Sequence, residues 1–207
     1  YKDQSDQPVS ADHAVASSTV RRLIPQMVSN RVLTYRGGDR VSFAHPVYAG
    51  YFAGRGIANL GGENELIAQP DWSGKMQAME YYGMLADASG PTNRLLQTLD
   101  DQRRDGFRSN LLLASLWLKN APHNRPWRQR IMRDLAMTIN RSELPLGVRE
   151  RLAFRLIQSR DPGVPTLFRK MMLSPQNAIR LMGNLGCGLL NDTQSINDLA
   201  AMIYDPD

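Results

Sequence analysis

Apolar residues recur every three to four positions over most of the chain, the period of a helix with one buried face. Val20, Leu23, Ile24, Met27 and Val28 open the series, with N-cap candidates at Ser10-Ala11-Asp12 and Pro25 set to kink or divide the helix. The pattern then changes. Arg31 to Arg36 and Arg40 to Phe43 are two β-branched and aromatic runs on either side of Gly37-Gly38-Asp39, which predicts a hairpin. Pro46 suits the first turn of a further helix carrying Val47, Tyr48, Tyr51, Phe52 and Leu60 and fading into Gly61-Gly62.

From Ser73 onward only helical periodicity is left. The segments are Met76 to Ala86, punctuated by Gly90-Pro91; Asn93 to Leu99, ended by the polar run from Asp100 to Gly106; and Leu111 to Leu118. The last is apolar almost all round and should be sandwiched between neighbours. Next come Trp127, Ile131, Leu135 and Ile139; Val148, Leu152 and Leu156 before Asp161-Pro162-Gly163; and Val164, Leu167, Phe168, Met171 and Met172 before Ser174-Pro175. Two further segments fall near Ile179 to Leu190 and Ile196 to Ile203. Taken in pairs whose first members begin near 75, 108, 148 and 178, they repeat at a spacing characteristic of helical-hairpin arrays. The unit from Gly147-Val148-Arg149 through Leu152-Ala153 to Asp161-Pro162 resembles the HEAT consensus. The expected fold class is therefore mainly α: a winged-helix end with a small β-hairpin, then an α-solenoid of HEAT-like hairpins. The expected domains are 1–70, a winged-helix-like module incomplete at its start, and 71–207, the solenoid.

Composition narrows the function classes. The 207 residues suffice for a real core without disulfide or metal staples. The single Cys187 excludes a disulfide framework and a cysteine zinc site and fits a reducing compartment, so a cytoplasmic location is expected. No run reaches about 18 consecutive apolar residues, the length of a membrane span, and no membrane partner is expected. The first ten residues have neither a Met nor an apolar leader core, and the chain is expected to be a segment of a longer protein.

Charge changes the picture more. The net +5 conceals sixteen basic against seven acidic residues between Arg94 and Lys170, a local +9, and 21 of the 25 basic residues are Arg. Arg125, Arg128, Arg130, Arg133, Arg149, Arg151 and Arg155 are the candidates for a surface facing an anionic partner, nucleic acid among them. The alternative is a set of solvated helix faces whose arginines pair locally.

Catalytic chemistry is hard to place. His13, His45 and His123 are too scattered for a paired metal site. Gly74-Lys75 precedes Met76 and lacks the earlier glycine of a phosphate-binding loop, so the segment is expected to be non-enzymatic and to hold no cofactor itself. Cys187, between Gly186 and Gly188, reads as a small residue buried where two helices approach.

The string Phe43-Ala44-His45-Pro46-Val47-Tyr48-Ala49-Gly50-Tyr51-Phe52-Ala53-Gly54-Arg55 resembles the end of the winged-helix domain in STAND-class signalling NTPases, the NACHT and NB-ARC relatives. The helix around Val20 to Ile24, Val32-Leu33 and the Gly37-Gly38 turn fit the same module, so the resemblance covers about residues 10–60. Gly50 stands where many relatives carry an acidic residue, and Gly54 where many carry Ala. The resemblance implies a nucleotide-dependent switch: an upstream nucleotide-binding domain of the same chain holding ADP or ATP with Mg²⁺, and a helical sensor that binds a protein or ligand. It implies for His45 a hydrogen bond to the β-phosphate of ADP in the resting state; by its own setting, His45 could equally cap the helix that Pro46 begins. The remaining alternatives are a winged helix with an Arg-rich solenoid that binds nucleic acid, and a plain protein-binding scaffold.

Overall fold

The computed structural model describes residues 22–37, 40–68, 74–97, 106–197 and 200. The expected caps at Ser10 to Asp12, Val20, Gly38-Asp39, the boundary at residue 70, the run Asp100 to Asp105 and the segment's end at Ile203 lie outside them. The described chain is mainly helical, with one small antiparallel sheet. It divides into two compact units meeting between Ala49 and Gly50.

The first unit contains α1 (22–29), which runs through Pro25 without a break. Arg31, at φ 57°, turns the chain out of α1, and the Val32 N–H closes back on Met27 O at 2.8 Å. The hairpin follows as expected: β1 (Leu33–Tyr35) pairs with β2 (Val41–Phe43), Leu33 opposite Phe43 and Tyr35 opposite Val41. Arg36 Nε donates to Ser42 Oγ at 2.8 Å across the pair.

Pro46 begins α2 (Pro46–Leu60), as its fixed φ and missing N–H allow. Of the aromatic residues of α2, only Tyr51 is half-buried, edge-on to Tyr81 at 5.3 Å. Val47, Tyr48, Phe52 and Leu60 are exposed, whereas Gly50 and Gly54 are buried. A Cβ at Gly50 would collide with Gln77, and one at Gly54 with the backbone of Ala78. Both glycines thus fall where helix backbones approach.

In the second unit come α3 (Glu63–Ala68), α4 (Lys75–Leu85), α5 (Ser89–Leu96), α6 (Ser109–Ser115) with a 3₁₀ turn at Leu116–Leu118, α7 (Pro126–Ile139), α8 (Leu146–Gln158), α9 (Val164–Met172) and α10 (Asn177–Leu190). The starts of α4, α6, α8 and α10 lie within a few residues of the expected 75, 108, 148 and 178. Gly90-Pro91 is not a break; Pro91 sits in the first turn of α5, where a proline costs no intrahelical bond. Trp127, Ile131, Leu135 and Ile139 of α7 and Val148, Leu152 and Leu156 of α8 are all buried, because their spacing puts each set on one helical stripe. The apolar run Leu111 to Leu118 is buried or half-buried throughout, as its all-round apolarity requires.

Packing alternates in two ways. α7 lies on α8 and α9 on α10, each joining the second helix of one expected pair to the first helix of the next. Contacts also skip one helix: α5 touches α7, α6 touches α8, and α8 touches α10. α9 and α10 approach closely, for a Cβ at Gly183 would strike the Met171–Met172 backbone. Cys187 is buried one turn further along, as expected of a small residue there. Because backbone cannot yield as a side-chain tip can, Gly183→Ala is expected to destabilise by about 2 kcal/mol. Urea denaturation reads this, and a change below about 0.5 kcal/mol would mean that the two helices separate at no cost.

Candidate functional site

The residues that bury α8 leave the opposite stripe open. Val148, Arg149, Leu152, Ala153 and Leu156 face the core, which turns Glu150, Arg151, Phe154, Arg155 and Gln158 outward, spaced three to four apart. α10 does the same. With Met182, Gly183, Gly186 and Cys187 inside, Leu181, Leu185 and Leu189 form a second row at intervals of four. The α8 stripe joins Leu185 and Leu189 of α10, Leu112 of α6 and Met76 of α4 in lining an open groove of about 670 Å³. Phe154 and Leu189 are each 48% exposed and Met76 is 50% exposed, unusual for large apolar side chains grouped together.

Two cations stand in this groove. Arg155 is half-buried and donates to the neutral Gln158 Oε1 at 2.7 Å. Burial pushes its guanidinium pKa down, Glu80 acting in the opposite direction. Glu80 is itself held by Lys119 at 3.0 Å. Arg151 is exposed and, among the described residues, donates to the Gly147 carbonyl at 3.3 Å. Neither arginine has a carboxylate within 4.0 Å among the described residues, although Arg94, Arg130, Arg133 and Arg169 do.

The seven arginines expected to face an anionic partner do not form one surface. Arg128 and Arg149 have to be corrected outright, since both are buried. Arg128 donates to Leu118 O at 2.5 Å, Ala121 O at 3.1 Å and Ser159 O at 3.1 Å, tying the turn after α6 to the end of α8. Arg149 donates to Ile139 O at 2.8 Å and Ala178 O at 2.7 Å, tying the end of α7 to the start of α10. Desolvation lowers the pKa of both. They are internal clasps because the C-terminal helix ends at Leu118, Ile139 and Ser159 leave carbonyls unsatisfied, and a fork of donors reaches several acceptors at once. Arg130 and Arg133 lie on either side of Asp134, at 3.9 and 3.8 Å, and Arg130 also bonds Asn93. Arg125 is half-buried just before α7. Only Arg151 and Arg155 come together in a concavity.

His45 is exposed just before α2, and its Nδ1 accepts from the Val47 N–H at 3.2 Å. The ring therefore caps α2. With Nδ1 accepting, the ring's N–H lies on Nε2.

No family model, curated protein or solved structure matches the chain. No helix among the described residues is long and apolar enough to cross a membrane.

Sequence reasoning did not single out Phe154, although a signal was present. It lies two residues from both Leu152 and Leu156, so a helical period places it on the side they avoid. Leu185, Leu189 and Met76 gave no comparable signal, because aliphatic residues in a helical segment read as core. Their exposure depends on where α4, α6 and α8 stop covering them.

Proposed function

We propose that the chain is a protein-binding regulatory segment, its second unit a short HEAT-like α-solenoid whose groove receives a partner. The contacts that skip one helix, α6 to α8 and α8 to α10, support the solenoid reading, because stacked hairpins place equivalent helices side by side. The groove carries the functional reading. A cluster of half-exposed large apolar side chains, bordered by arginines without carboxylate partners among the described residues, is the composition of an interaction site.

Under the STAND resemblance, the same segment serves as the sensor of a nucleotide switch. The Nε2–H of His45 would meet the β-phosphate of ADP held by an upstream domain, and partner binding at the groove would shift the closed state toward an open one by its differential affinity. A Walker A lysine and a Walker B acidic cluster encoded in the same reading frame support this; a frame without them overturns it. The dispersal of the arginines into clasps, Asp134-paired side chains and groove residues weighs against the nucleic-acid alternative. Binding to a random duplex with a steep salt slope would reverse that judgement.

The docking reading is tested by a benzophenone amino acid placed at Phe154, with Met137 of α7, 60% exposed, as the control position. Irradiation in the native cell is expected to give discrete protein adducts at position 154 and none at 137. Equal labelling at both positions, or no adduct at either, overturns docking at the groove.

A further inference from the structure

We infer that the occupant of the groove is an amphipathic α-helix of a partner protein, with its apolar face on Phe154 and Leu189 and a carboxylate of Asp or Glu on Arg155. This inference rests on the docking reading above and specifies its partner.

Charge selects the sign. Arg151 and Arg155 both line the groove, against the single carboxylate of Glu150. Arg155 is half-buried beside Phe154, and its described hydrogen bond spends one donor on a neutral amide. A guanidinium offers five N–H donors in a planar fork matched to a carboxylate. An incoming Asp or Glu side chain would therefore find donors in place, on a floor whose apolar side chains strengthen the pairing by excluding water. An incoming lysine would meet two like charges in the same space.

The walls select the backbone. The groove is lined by side chains from four helices, α4, α6, α8 and α10. It has no sheet edge with which an extended peptide could satisfy its own N–H and C=O groups. A helical occupant brings those bonds with it and presents side chains at i, i+3, i+4 and i+7, the pattern that fills apolar grooves. The volume of about 670 Å³ suits such a set of side chains rather than a whole helix, so the polar face of the occupant would stay in water.

The experiment uses the 207-residue chain and fluorescein-labelled synthetic helices read by anisotropy. One probe has Leu at i, i+3, i+4 and i+7 and Glu on the flanking positions. A second replaces each Glu by Lys, and a third keeps Glu but places a proline at its centre. The acidic helix is expected to bind, the lysine helix at least tenfold more weakly, and the proline peptide no better than that. Phe154→Asp is expected to weaken the acidic helix more than tenfold, and Arg155→Met about fivefold. Both positions are on the open stripe, so circular dichroism should show both variants folded; Met137→Asp is the neutral control. Equal binding of the acidic and lysine helices, equal binding of the proline peptide, or affinity unmoved by Phe154→Asp and Arg155→Met would each overturn the inference. Decanoate is the small-molecule arm: Arg155-dependent binding of decanoate without binding of the acidic helix assigns the groove to an apolar acid instead. If the cross-link at position 154 captures a protein while the acidic helix fails, docking stands and only the identity of its occupant falls.

Discussion

Arg128→Met is expected to destabilise the second unit by about 3–5 kcal/mol, whereas Arg133→Met, five residues along the same helix, should change stability by less than about 0.5 kcal/mol. The contrast follows from what each guanidinium touches. Arg133 is exposed and lies 3.8 Å from Asp134, an ion pair of the kind that contributes little. Arg128 is 2% exposed and donates to three backbone carbonyls, those of Leu118, Ala121 and Ser159. Methionine restores most of the volume and none of the donors, and each carbonyl left buried without its partner costs about 1–3 kcal/mol. Arg128→Lys should fall between the two, because an ammonium on a flexible stem cannot hold three acceptors with the geometry of a fork. Urea denaturation of the three variants under one buffer checks the series. A loss below about 1 kcal/mol for Arg128→Met would show that the turn after α6 reaches water at no cost.

Trp117→Ala is the second large effect, expected at about 3–5 kcal/mol. Trp117 has no exposed surface and lies between Tyr82 of α4, 6.0 Å away centroid to centroid, and Trp127 of α7, at 6.3 Å and nearly perpendicular. Gly83 of α4 presses against the Trp117 backbone, and a Cβ there would collide with it. With its backbone pinned from that side, the 3₁₀ turn cannot collapse into the space an alanine leaves, which puts the substitution at the costly end of the cavity range. For a domain of this size the loss corresponds to a fall in Tm of about 10 °C, read by circular dichroism. A fall of about 2 °C or less would mean that the neighbouring helices close the cavity.

The stripes on α7 and α8 were legible because a helix with one buried face must repeat its apolar positions. The hairpin was legible because β-branched runs around a Gly-rich turn have few other uses. The arginines were not. Arg128 and Arg130 look alike in the sequence, yet one is buried against carbonyls and the other bonds Asn93 beside Asp134. An arginine satisfies carboxylate, carbonyl and water equally well by its donor count, so its partner depends on the neighbours that the fold supplies. The burial of α2 was not legible for a related reason. Its fully buried positions are Gly50 and Gly54, beside the half-buried Tyr51, Ala53 and Ile57, and close backbone approach has no hydrophobic signature.

The sequence by itself determined a mainly helical chain with one small hairpin, the approximate starts of α4, α6, α8 and α10 and most of its core. These follow from local period and from the chemistry of proline and glycine. Only the tertiary structure divided the local +9 between internal clasps, Asp134-paired side chains and the two arginines beside Phe154. Which stripe of a helix is left uncovered depends on where its neighbours end, and that is a property of packing between distant segments.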